Sequence, residues 1–169
     1  MPAAKKSTPG AWELRLRELL PLYGHRNWIV VADSAYPAQS KPGIETIFAG
    51  GDQVEAVGKV FDAITEATHV RANIYLDQEL ACVPEHDAAG VLDYRGKLER
   101  MLGAAVRQVP HEQIIAKLDQ AARVFRVLII KTAMTIPYTS VFFELDCGYW
   151  SAEAEQRMRK EMKTPKRKR

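Results

Sequence analysis

Cysteine is scarce in this sequence: Cys82 and Cys147 are the only two in 169 residues, far apart and in no CxxC or zinc-ligand spacing. A disulfide scaffold and a zinc module are therefore excluded, and the apolar surroundings predict two buried free thiols. Long hydrophobic runs are also missing. None approaches the roughly 18 residues that a membrane span requires, and Met1 to Gly10 lacks the apolar stretch of a secretory signal. A cytoplasmic protein is the expectation. Neither sign of charge dominates, with 24 Lys+Arg against 21 Asp+Glu and a formal charge of +3. From Ser151 onward there are eight basic and three acidic residues, whereas residues 1 to 150 carry sixteen and eighteen. The body is mildly acidic and the tail is basic. With no basic or aromatic stripe in the body, a solvated tail explains the charge better than nucleic-acid binding. Heptads, internal repeats, G-x-G-x-x-G, G-x-x-x-x-G-K-[ST], G-x-S-x-G and H-E-x-x-H are absent, so no cofactor or metal is expected.

What is present is an alternation of helical and strand patterns. Residues 1–10 read as a flexible arm, too polar to offset the entropy of ordering them. From Ala11, Trp12, Leu16, Leu19, Leu20 and Tyr23 mark one helical face, with Gly24 as its expected C′ residue. Trp28 to Ala32 is apolar at both parities, which suits a strand covered on both faces. Residues 34–43, with two prolines and a glycine, form a loop at that strand's carboxyl end, where α/β proteins bind ligands. Ile44 to Ala49 is a second strand. A helix over Gln53 to Ala67 follows, capped by Asp52 in a capping box with Glu55 and striped by Val54, Val57, Phe61 and Ile64.

Further along, strands are predicted at Val70 to Leu76, Val124 to Lys131 and Ser140 to Leu145, and helices at Val91 to Val106 and His111 to Ala122, with Asp77 to Ala89 irregular. The pattern gives an α/β fold, a three-layer α/β/α domain over residues 11–150 with a mixed, largely buried sheet. Residues 151–169 form the basic C-terminal tail, with a short helix to about Met162 and a disordered end.

Four histidines can carry proton chemistry: His25, His69, His86 and His111. A lone histidine is more often structural than catalytic. His25 precedes the first strand and Asp33 follows it. A strand of about eight residues is some 25 Å long, so a site using both requires a fold-back or two subunits. Tyr138, Thr139 and Ser140 place a phenol and two hydroxyls directly before a buried strand. That triplet suits sugar hydroxyls, although a turn with a packed tyrosine explains it too.

Gly24-His25-Arg26-Asn27 followed by Ile29-Val30-Val31-Ala32-Asp33-Ser34-Ala35-Tyr36-Pro37 resembles the opening motif of the ribose pyranase and fucose mutarotase (RbsD/FucU-like) family: Gly-His-x-Asp, an apolar strand, Ala-Asp, small residues, Pro. Lys131-Thr132 through Pro137-Tyr138-Thr139-Ser140 is similar to the family's Thr-Gly-Glu, Tyr-x-Asn and closing strand. Thr68-His69-Val70 and Val83-Pro84 are looser matches. The likeness covers about Leu19 to Gly148.

This resemblance implies cofactor-free interconversion of the anomers or ring forms of a free monosaccharide. It implies His25 as proton donor, Tyr138 as a catalytic partner, and Asp33, His111, Thr139 and Ser140 as sugar-binding residues. Counting without gaps from Tyr138 instead leads to Ala116 and Lys117 in place of His111. It also implies a homo-oligomeric ring, such as the decamer of ribose pyranase, with sites at subunit contacts, no metal and no membrane partner. Asn27, Ala133-Met134 and Ser140 depart from the family's Asp, Gly-Glu and Asn. Losing carboxylates beside a histidine weakens its orientation and basicity, so a non-catalytic sugar-binding or regulatory protein on the same scaffold is the alternative.

Overall fold

The computed structural model describes residues 10–163; all but the last residue of the predicted arm over residues 1–10, and the tail end over 164–169, lie outside the described residues. Its chain order is α1 (Ala11–Leu19), β1 (Trp28–Ala32), β2 (Ile44–Phe48), α2 (Gln53–Glu66), β3 (Val70–Asp77), α3 (Val91–Leu102), β4 (Arg107–Val109), α4 (His111–Ala121), β5 (Val127–Lys131), β6 (Val141–Cys147) and α5 (Ala152–Lys163). The six strands form one sheet in the order β2-β5-β1-β6-β3-β4. β6 runs antiparallel to β1 and β3, and the other pairings are parallel.

The two-faced burial expected of the first strand is what the fold uses. Alternate residues of β1 and β5 feed separate cores. Ile29, Val31, Leu128 and Ile130 pack with α1, α2 and α3, while Trp28, Val30, Val127 and Ile129 pack with Ile114 and Leu118 of α4. The three-layer expectation therefore holds, with three helices on one face and one on the other. Each fully buried aliphatic side chain contributes roughly 1.5–3 kcal/mol over an exposed one, which makes β1 and β5 the rigid centre. Helix α5 buries no residue.

Several local expectations need correction. The helical pattern from Ala11 stops at Leu19 and tightens into a 3-10 turn at Leu20–Leu22, because Pro21 has no N–H to continue the α-helix. Gly24 is not a left-handed cap; the positive φ in this turn belongs to Arg26, at 75°. Asp52 caps α2 by accepting from the Glu55 N–H at 2.9 Å. The Glu55 carboxylate pairs with Lys59, so the reciprocal half of the box is not made. Burial on α2 centres on Val57, Val60 and Ile64 rather than on Val54 and Phe61.

Helix α3 ends at Leu102, where Gly103 takes a φ of 70°. The chain then makes β4, a strand of three residues along β3, too short and polar for its period to register. The last parallel strand begins at Val127, because Val124 sits on an exposed turn. Neither thiol is buried: Cys82 is exposed in a surface 3-10 turn, and Cys147 at the end of β6 is half-buried.

Glycine is required at position 43. A Cβ there would lie 2.6 Å from the Ala122 carbonyl oxygen and 3.0 Å from that of Phe125. This close approach seats the start of β2 against the turn that launches β5.

Candidate functional site

Topology gathers the polar residues at one end of the sheet. Asp33 follows β1, Asp77 ends β3, and His111 opens α4 just after β4, whose Val109 pairs with Asp77. Because β6 runs the other way, its start at Val141 lies beside Val31 and Leu76. Tyr138, Thr139 and Ser140 thereby reach the same edge. Ligand sites of α/β folds lie outside the carboxyl ends of strands.

His111 is the best-defined member. Its backbone N–H donates to both carboxylate oxygens of Glu79, at 3.1 and 3.0 Å. Its imidazole Nδ1 lies 3.1 Å from Asp77 Oδ1, and its ring meets Tyr138 edge-on with centroids 5.5 Å apart. Asp77 is buried, and its Oδ2 has no hydrogen-bond partner among the described residues. Burial pushes its carboxyl up to about 6; the hydrogen bond and charge of His111 oppose the rise, and Glu79 and Asp33 add to it. The Tyr36 hydroxyl is likewise buried with no hydrogen-bond partner among the described residues. Burial, reinforced by Asp77 and Asp33, keeps it protonated far above the ordinary phenol range.

Asp33 is half-buried; Oδ1 accepts from the Ala35 N–H at 2.9 Å, and Oδ2 lies 3.5 Å from Ser140 Oγ. Tyr138 is partly exposed and holds a φ of 58°. A tyrosine in the left-handed region is strained, and such strain persists only where neighbours enforce it. Those neighbours form a buried polar network. The Thr139 carbonyl accepts from the Tyr94 hydroxyl at 2.6 Å and from the Gln53 amide, and the Thr132 hydroxyl donates to Gln53 Oε1 at 2.7 Å. The Thr139 hydroxyl itself donates to the Ile136 carbonyl at 2.8 Å, so it is spent on shaping the loop. Ser34 ties the same loop down through the Met134 carbonyl, at 2.7 Å from Oγ.

His25 is not in this cluster. It precedes β1, at the opposite end of the sheet from Asp33, and is exposed. Its Nδ1 lies 2.8 Å from Asp146 Oδ1 at the end of β6, and Arg26 Nε donates to its Nε2 at 3.2 Å. Asp146 also accepts from Arg71, at 2.7 Å, and from the Cys147 N–H. Partial burial works against its charge, but Arg71, the Cys147 N–H and His25 hold its carboxyl below the usual range. Asn27 does not touch His25. Its Oδ1 accepts from the Gly24 N–H at 2.8 Å and its amide donates to the Arg126 carbonyl.

Of the residues predicted from sequence, Asp33, His111, Tyr138, Thr139 and Ser140 come together, and His25 stands apart. Asp77, Asp146, Tyr36, Gln53 and Tyr94 were missed. Asp77 had one readable signal, an acidic residue where a strand ends in an α/β pattern. Asp146 had none, since 121 positions separate it from His25. Lys117 lies over the Tyr75 ring at 5.0 Å, so it is committed to packing. His69 bonds the Leu20 and Tyr23 carbonyls, both at 3.1 Å, and His86 is exposed beside Asp87.

Among the described residues no group of three or more His, Cys, Asp or Glu side chains is arranged to hold a metal ion, and no helix is long and apolar enough to cross a membrane. No curated protein sequence shows a significant match to the chain. Among solved structures, Bacillus subtilis RbsD complexed with D-ribose is similar in fold, at 16% identity and a TM-score of 0.58, over 85% of this chain and 98% of that one. The fucose mutarotase of Streptococcus pneumoniae, in complex with L-fucose, aligns at 17% identity and a TM-score of 0.52, over 78% and 91%. A family model matches residues 7–148, nearly the whole sheet and its helices, and the chain belongs to the RbsD / FucU transport protein family.

Proposed function

We propose that this protein interconverts the anomers or ring forms of a free monosaccharide by cofactor-free acid–base catalysis. The observation that carries the reading is the convergence of Asp33, His111, Tyr138 and Ser140 at one sheet end, with a strained tyrosine against the histidine. Hydroxyls, an imidazole and a carboxylate suit a neutral polyol. His25 is the acid/base residue of this reading and enters the pocket from a second copy of the chain, since its own Asp33 lies at the other end of β1. Family membership and the two similar structures, one in complex with D-ribose and one with L-fucose, support a sugar ligand.

Ring opening removes the proton of the anomeric hydroxyl and delivers one to the ring oxygen. Positioned acid–base groups accelerate such transfers roughly 10²–10⁴-fold. Asp146 supplies the carboxylate beside His25 that Asn27 does not.

NMR exchange spectroscopy on equilibrated ribose, fucose and other monosaccharides tests this. Enhanced exchange for at least one sugar is expected, lost in His25→Ala and in His111→Gln and regained when the two variants are mixed as a hybrid assembly. No exchange above buffer for any sugar refutes catalysis. The second reading, sugar binding without turnover, is favoured by the commitment of Asn27 to its own turn. Calorimetric binding with no catalysed exchange selects it.

A further inference from the structure

The cluster at this sheet end includes a buried acid that the reading above does not use. The Asp77 side chain is 1% exposed, and its one side-chain partner among the described residues is His111 Nδ1. A buried carboxylate oxygen with no donor costs free energy, so such a group persists where a proton or ligand meets it. With Nδ1 committed to Asp77, Nε2 is the nitrogen that the ring turns toward a ligand. The ring cannot swing freely, because Glu79 fixes its backbone and Tyr138 meets it in a T-shaped contact.

We propose that His111 is a second proton-transfer residue for the sugar and that Asp77 is its positioning residue, so that each pocket works with two histidine–aspartate pairs, His111–Asp77 and the His25–Asp146 pair of a neighbouring copy. The inference rests on the mutarotase reading and adds a role to it. Ring opening needs a base and an acid at once. One neutral imidazole takes the anomeric proton as the C1–ring oxygen bond breaks and the C1 carbonyl forms. The other, as imidazolium, gives its proton to the ring oxygen. Rotation about C1–C2 and closure reverse both transfers, so protons balance over the cycle and nothing is oxidised or reduced. Asp77 fixes the proton-bearing nitrogen of His111 and stabilises its cationic form, which a neutral residue there cannot do.

The groups that face Asp77 are consistent with this. His111 comes from α4, Glu79 follows β3, Asp33 follows β1, and Tyr36 and Tyr94 feel its charge from the first loop and from α3.

Two measurements on the full-length protein test the proposal. In the imidazole N–H region of the proton spectrum, a downfield resonance is expected that vanishes in His111→Gln and in Asp77→Asn. Its absence from the wild type, or its survival in Asp77→Asn, overturns the pairing and needs no sugar. With the sugar exchanged fastest by the wild type, Asp77→Asn is expected to lower the exchange rate roughly 10²-fold, keep sugar affinity within about threefold, and lose the bend in the pH profile near pH 6. Wild-type rate and pH profile in Asp77→Asn overturn the role of Asp77 while leaving the mutarotase reading intact. No wild-type exchange with any sugar overturns both. If Asp77→Asn fails to fold, the wild-type resonance, its loss in His111→Gln and the wild-type pH profile still decide the matter.

Discussion

Replacing Asp77 by asparagine is expected to stabilise the protein at neutral pH while weakening its function. In the folded state burial lifts this carboxyl from 3.8 to about 6. An acid whose folded value lies above its unfolded value favours folding least when ionised: its cost is absent below about pH 4, grows as pH rises, and is complete above about pH 6. The rise corresponds to about 3 kcal/mol of cost on the ionised form. Asparagine has nearly the same shape, but it cannot ionise. The stability of Asp77→Asn relative to wild type should therefore climb by about 2–3 kcal/mol between pH 4 and pH 7. Urea unfolding of both proteins at several pH values measures this, and the difference between them cancels pH-independent packing changes. A difference that stays flat across that range, or that falls, refutes the claim that Asp77 is held as a buried, costly acid.

Asp146→Asn should lower sugar exchange roughly tenfold with an unchanged circular dichroism spectrum, because Asp146 aligns His25 on an exposed surface. Exchange spectroscopy on the purified variant reads this. Leu118→Ala should cost about 2–5 kcal/mol in urea unfolding, since Leu118 is fully buried where α4, the helix that carries His111, meets the sheet. Gly43→Ala should cost roughly 1–3 kcal/mol, because the new methyl group meets backbone oxygens of the turn before β5. Deleting residues 152–169 should leave the melting temperature within about 2 °C, since α5 buries no residue.

The fold was legible where burial leaves a clear period. Trp28 to Ala32 and Val127 to Ile130 announce two-sided strands because every side chain in them is apolar, and β1 and β5 are the buried centre of the sheet. Legibility ended where tertiary contacts replace local pattern. β4 exists because β3 offers an open edge to Arg107–Val109. The left-handed residue after α1 is Arg26 and not Gly24, since the turn is shaped by the Arg26 N–H to Leu145 carbonyl bond and the Asn27 bond to Gly24. At the site, Asp33, His111 and the 138–140 triplet could be singled out by type and place along the chain. Asp77 and Asp146 could not be matched to their histidines, because each pair is closed by sheet neighbours distant in sequence.

The reversed strand β6 gives the molecule a built-in length. It starts at Val141, just after Ser140 beside Asp33, and ends with Asp146 and Cys147, beside His25, so one rigid seven-residue rod joins a receiving end to a donating end. A strand of that length spans about 23 Å. Where neighbouring copies complete each other's pockets in the proposed way, pocket spacing is set by this rod rather than by flexible loops. A two-headed sugar ligand with a tether much shorter than about 23 Å could then occupy only one pocket at a time, however well each head fits.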